Sequence, residues 1–154
     1  MSGLLVLLVA LVATVLLALA WTRHNGRFTK TPTAASVAGD GATGAEGPVD
    51  RELLTPADIG ADLGDRVTLV QFSSAFCSPC RATRTLLTDV VADHPEVAHV
   101  EVDAESHLDL VRRLDVRRTP TVLVLDADGV VVGRASGLPR REQVETVLEG
   151  LTAR

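Results

Sequence analysis

The chain has no tyrosine, one tryptophan and three phenylalanines in 154 residues, and only two cysteines. So few aromatics leave no platform on which bases could stack. The formal net charge of −5 supplies no basic stripe to follow a phosphate backbone, so nucleic acid is not an expected partner. Two cysteines cannot build a multi-bridge framework. Nor is there a second ligand pair for a structural zinc ion: His24, His94, His99 and His107 form no further C-x-x-C and no H-x3-5-H spacing. No metal and no cofactor is expected, and no internal repeat is present.

Charge is also missing from the N-terminus. From Leu4 to Trp21, "LLVLLVALVATVLLALAW" carries no charged side chain, and Thr14 is its one polar residue. A bilayer crossing needs about 20 apolar residues, so residues 1–21 are expected to be a single transmembrane anchor held in lipid by residues 4–21. Trp21 stands where an aromatic marks the interface, and Arg23, His24, Arg27 and Lys30 follow. Ala18-Leu19-Ala20 resembles a signal-peptide cleavage site, but no basic side chain precedes the apolar run, which is longer than a usual signal core. Positive charge after the span favours a cytoplasmic face for the rest of the chain, with the extracytoplasmic face as the alternative. Residues 22–52 are rich in Gly, Ala, Thr and Pro ("TKTPTAASVAGDGATGAEGPVD") and read as a flexible linker, a leash of about 30 residues. Residues 53–154 form the remaining domain, with 17 acidic and 12 basic residues from Arg51 onward.

Within that domain the hydrophobic period alternates. "TPADIGADL" opens with Thr55 as N-cap and Pro56 at the first helical position. "RVTLVQFS" is a buried-strand run, and "SPCRATRTLLTDVVADH" places Leu86, Leu87, Val90 and Val91 on one helical stripe. The strand "VAHVEVD", the helix "SHLDLVRRLD" capped by Ser106, the hairpin "PTVLVLD"–"VVVGRAS" across an "ADG" turn, and the helix "PRREQVETVLEGL" complete the order α-β-α-β-α-β-β-α. Helices alternating with strands before a terminal hairpin predict an α/β/α sandwich around a mixed central sheet.

Cys77 and Cys80 fall where a buried strand ends and a helix begins. Three readings compete: a redox couple, half of a metal site, or a local structural disulfide. Unpaired N–H groups and the positive end of the helix dipole would stabilise a Cys77 thiolate and lower its pKa below about 8.5. The three-residue offset brings Cys80 beneath it, placed to resolve a mixed disulfide. Zinc lacks further ligands, and a structural bridge would close too small a loop to stabilise much.

Three motifs, "VTLVQFSSAFCSPC", "RRTPTVLVLDADG" and Gly137 before the last helix, resemble the thioredoxin family over roughly Leu53 to Leu151. The resemblance implies a thiol-disulfide oxidoreductase acting on protein disulfides and reset by an unknown electron donor. It implies that Cys77 attacks, that Cys80 resolves, that Pro120 is a cis-proline, and that Phe76, Ser78, Pro79, Thr119 and Pro120 form the substrate rim. A non-catalytic thioredoxin-fold binding or scaffold module at the membrane is the alternative. Departures from the family pattern are Phe76 where it usually has Trp, Gln71 where it buries an aspartate, His99 where it often places a lysine, and Thr85 in place of a mid-helix proline. Gln71 and His99 are the candidate proton-transfer neighbours of the cysteines.

Overall fold

A computed structural model describes residues 2–24, 28–30 and 52–153. The apolar N-terminal run folds as one helix, α1 (Ser2–His24), whose side chains from Val6 to Ala20 are all exposed. That described stretch falls short of the roughly 20 apolar residues a bilayer requires, and among the described residues no helix is long and apolar enough to cross a membrane.

A strand follows that the sequence reading does not anticipate. Phe28–Lys30, here β1, lies inside the segment read as linker and pairs antiparallel with a later strand. A three-residue edge strand is held by backbone hydrogen bonds, so its composition need not look strand-like. Of the rest of that segment, 22–24 belong to α1, and 25–27 and 31–51 lie outside the described residues.

Beyond it the expected alternation holds: α2 (Pro56–Ile59), β2 (Val67–Ser73), α3 (Ser78–Val91), β3 (Val97–Asp103), α4 (Leu108–Arg113), β4 (Thr121–Asp126), β5 (Val131–Ser136) and α5 (Arg141–Thr152). The sheet order is β1-β5-β4-β2-β3; β2 and β3 are parallel and the other pairs antiparallel. All seven residues of β2 are buried, so its apolar side chains fall on both faces instead of alternating with exposed polar ones.

Strand alternation divides the core. Val67 and Leu69 pack with Leu87, Val90, Val144 and Leu148 under α3 and α5. Val70 and Phe72 turn the other way, against Ile59, Leu110 and Leu114 of the α2/α4 layer. The result is the expected α/β/α sandwich with a mixed sheet.

Local signals are mostly met. Thr55 caps α2, its N–H and hydroxyl both donating to Asp58 Oδ2 at 2.8 and 2.7 Å. Gly129 holds the hairpin turn at φ +82°, where a Cβ would stand 2.2 Å from the Leu54 carbonyl oxygen. The Ser106 cap is a correction. The Asp103 carboxylate takes the Ser106 hydroxyl and also the Glu105 N–H (3.0 Å), so α4 starts one residue later, with His107 at the cap position. Thr85 sits mid-helix without a break: its hydroxyl donates to the Arg81 carbonyl at 3.2 Å, and α3 is continuous.

Candidate active site

β2 leaves the core at Ser73 and the chain turns through Ser74, Ala75 and Phe76 into α3. Cys77 is the N-cap of that helix, and Pro79 lies in the first turn, where a missing N–H costs nothing. The Cys80 N–H donates to Cys77 Sγ at 3.1 Å, one of the helix-start donors aimed at sulfur. The two cysteines are joined as a disulfide, with Cα atoms 5.2 Å apart. Their environments differ: Cys77 is half-buried, whereas Cys80 is only 2% exposed.

The residues expected at the rim lie on two loops joined through Ser74 and Thr119. Phe76 is 99% exposed, and Ser78 and Pro79 are exposed on the first turn. Across the cleft the Thr119–Pro120 peptide is cis, with Pro120 buried and Thr119 half-buried. Ser74 Oγ and Thr119 Oγ1 lie 3.1 Å apart and tie the two loops together. The Gly137 N–H closes on the Pro120 carbonyl at 2.7 Å.

Beneath the pair lies a polar floor. Gln71, fully buried, donates from Nε2 to Ser73 Oγ (2.8 Å) and to the Cys80 carbonyl (2.9 Å), with Glu101 Oε1 at 3.5 Å. Its Oε1 lies 3.2 Å from His99 Nε2. An amide oxygen can only accept, so the hydrogen in that contact is the one His99 carries on Nε2. Gln71 contacts the Cys80 backbone directly, and His99 meets it through Gln71. Their placement makes them holders: the amide fixes the Cys80 backbone, and the imidazole nitrogen near it is turned to the amide rather than to sulfur.

The floor also contains residues that motif reading does not single out. Arg84 of α3 reaches Glu101 of β3 at 2.6 Å. Both line a cleft of about 410 Å³ together with Ser73, Cys77, Cys80 and Arg81. The parallel register pairs Gln71 with Glu101, a signal visible only once β2 and β3 are known to be neighbours. Burial pushes the His99 pKa down, with Glu101 opposing and Arg84 reinforcing the shift. For Glu101, burial alone would raise the pKa, but hydrogen bonds from Arg84 and Ser73 and the nearby positive charge outweigh it and hold the carboxyl below its ordinary value. The floor thus presents an ionised Glu101–Arg84 pair and an imidazole biased toward neutrality.

The thioredoxin family model matches residues 56–149. Thioredoxin H5 of Oryza sativa subsp. japonica is 32% identical over 60 residues, 39% of this chain and 44% of that protein. A thioredoxin of Staphylococcus aureus is 27% identical over 97 residues, 62% of this chain and 92% of its own length. The matched stretch therefore spans less than half of the rice relative. Among solved structures, chloroplastic thioredoxin z superposes with TM-score 0.52 at 22% identity, covering 58% of this chain and 81% of that one. A mutant thioredoxin of Halobacterium salinarum gives 0.51 at 22% identity, covering 57% and 76%. At these identities the structural likeness establishes the fold.

Proposed function

The chain belongs to the thioredoxin family, and we propose that it is a membrane-tethered thiol-disulfide oxidoreductase acting on protein disulfides through Cys77 and Cys80. The observation that carries this reading is the asymmetry of the pair. Cys77 sits at the helix start with a backbone N–H directed at its sulfur, while Cys80 is shielded beneath it. A thiolate is favoured at the accessible position and a thiol at the protected one.

In the reducing direction the Cys77 thiolate attacks one sulfur of a substrate disulfide and expels the other as a thiolate. Cys80 loses its proton, attacks Cys77 Sγ in the mixed disulfide and releases the second substrate thiolate. Two electrons pass from the dithiol to the substrate, and the two protons end on the product thiols. A thiol-based electron donor restores the dithiol; run backwards, the same steps oxidise a substrate. The exposed rim of Phe76, Ser78 and Pro79, with Thr119 and Pro120 opposite, is where an extended substrate segment would lie.

The tether is supported by α1. Its apolar side chains from Val6 to Ala20 are exposed, with Leu17 at 70%, and the basic residues Arg23, Arg27 and Lys30 lie at and beyond its C-terminal end. By the charge rule the domain faces the cytoplasm.

Trapping tests the reading. Cys80→Ser should accumulate mixed disulfides with partners on non-reducing gels and Cys77→Ser none. Equal trapping by both would reverse or abolish the assigned roles. A Cys77 that alkylates across pH like an ordinary thiol would mark a binding module instead.

A further inference from the structure

The short strand β1 changes how the domain can sit on its anchor. A linker of about 30 free residues would let the dithiol roam and face any direction. Instead, three residues separate His24, the last of α1, from Phe28, the first of β1. Four Cα steps span at most roughly 14 Å, so the end of α1 cannot lie farther than that from the sheet.

The register then says which part of the sheet. Phe28 pairs with Ala135, Ala135 with Val122, Val122 with Gln71 and Gln71 with Glu101. This one row runs from the anchor side to the floor of the dithiol, where Gln71 holds the Cys80 carbonyl at 2.9 Å. Three strand spacings separate Phe28 from Gln71, roughly 14 Å. Polarity agrees: β1 runs from Ala135 toward Gly133, away from Ser136 and Gly137, so it enters the sheet at the dithiol end.

A second observation concerns exposed apolar side chains. Outside α1 the large ones among the described residues are Leu53, Phe76, Leu108 and Leu138, from 44 to 99% exposed. Phe76 precedes Cys77, Leu138 follows the Gly137–Pro120 contact, and Leu108 opens the helix after the C-terminal end of β3. Three of the four thus lie at the end of the sheet that carries the dithiol. Leu53 bridges to Val130 at the opposite end.

We propose that β1 holds the dithiol end of the domain toward the membrane surface. The substrates are then membrane-embedded proteins whose disulfides lie in segments close to the bilayer. This rests on the reading of α1 as a span and of Cys77–Cys80 as a redox couple. Summing the covalent and lateral distances keeps the dithiol within about 35 Å of the end of α1. The apolar rim meets the partner segment as it emerges from the lipid. Exchange at such a partner moves two electrons from the dithiol to the partner disulfide, closing Cys77–Cys80 and leaving two partner thiols, with no further reactant.

The test uses the full chain in lipid vesicles with two single-span peptides inserted so that their disulfides emerge on the face carrying the domain. One bears its disulfide a few residues from its span. The other bears it on a rigid helical stalk of about 40 residues, roughly 60 Å out. The near disulfide should exchange at least about tenfold faster, by effective concentration. A flexible Gly/Ser insert of about 20 residues between Asn25 and Gly26 should bring the ratio toward one, with exchange of a small soluble disulfide unchanged. Equal rates in the unmodified chain, or a ratio the insert leaves untouched, would overturn the proposal while the oxidoreductase reading stands. A chain that does not sediment with the vesicles, or that fails to exchange even the small disulfide, overturns the reading beneath it and the proposal with it.

Discussion

The rim of the cleft and its floor are adjacent layers built in opposite ways. The helix-start half of the rim, Phe76 through Pro79, is contiguous in sequence and exposed apart from half-buried Cys77. The floor is drawn from three elements, with Gln71 and Ser73 from β2, His99 and Glu101 from β3 and Arg84 from α3, and its polar atoms are paired with one another. Among the described residues no buried side-chain nitrogen or oxygen lacks a partner. A reactive edge needs access and freedom, whereas polar groups under a sheet are tolerated only when every hydrogen bond is made. Substitutions should therefore separate by stability: floor changes act on it and on the pH dependence of exchange, whereas rim changes act on exchange and leave stability nearly unchanged.

The largest effect is expected at Gln71. Gln71→Leu keeps the volume but strips partners from Ser73, the Cys80 carbonyl and His99, and should cost about 3 kcal/mol, read as a lower urea midpoint. A loss below about 0.5 kcal/mol would mean water replaces the amide and the floor is not a closed network. Gln71→Asp places a carboxyl in that layer, near the Cys80 backbone. It should speed exchange at neutral pH and add an ionisation to the pH–rate profile, at some cost in stability. An unchanged profile would show that this layer does not communicate with sulfur.

That same division governs how much could be read from the sequence. The helix and strand order and the placing of Cys77 at a strand-to-helix junction follow from periodicity and from a motif four residues long, so they are visible locally. The pairing of Glu101 with Arg84 is not, because the two are seventeen positions apart and meet only when α3 crosses β3. Gln71 is legible as a departure from a family pattern, but its role depends on which atoms the amide faces. β1 is hidden for a different reason: a short edge strand carries no core stripe, and Phe28–Lys30 sits beside a Gly- and Thr-rich stretch that argues for linker. Ser106 misleads because a nearby carboxylate competes for its hydroxyl.

Acid should reach the floor before the rim. The folded-state pKa of His99 lies below its ordinary 6.5, chiefly through burial. The unfolded chain therefore takes up that proton first, and the His99 contribution is full above 6.5 and lost as pH falls through the folded-state value. Glu101 is held below its ordinary 4.5, so its contribution persists to lower pH and is lost as pH falls below 4.5. Urea midpoints measured between about pH 7.5 and 3.5 should decline in these two stages. His99→Gln should remove the first stage, and Glu101→Gln should shrink the second, to which Asp58, Asp103 and Asp115 also contribute. A wild-type midpoint flat from about pH 7 to 5 would show that the imidazole is solvated in the folded chain.

The smallest effect on stability is expected at Phe76, and it sharpens the contrast most. An aromatic ring that is 99% exposed buries almost no surface on folding, so Phe76→Ala should leave the unfolding free energy within about 0.5 kcal/mol of the parent. The ring is nevertheless the largest apolar group beside Cys77, and a protein segment lying across the rim would cover it. Removing it should raise KM for a protein disulfide several-fold while leaving the rate with a small soluble disulfide nearly unchanged, since the small molecule needs only the sulfur. If instead both substrates slow equally, the ring influences the Cys77 thiolate rather than the docking of substrate. If stability falls by more than about 1 kcal/mol, Phe76 packs against the domain in solution, and the separation between an unburdened rim and a bonded floor fails at its most exposed residue.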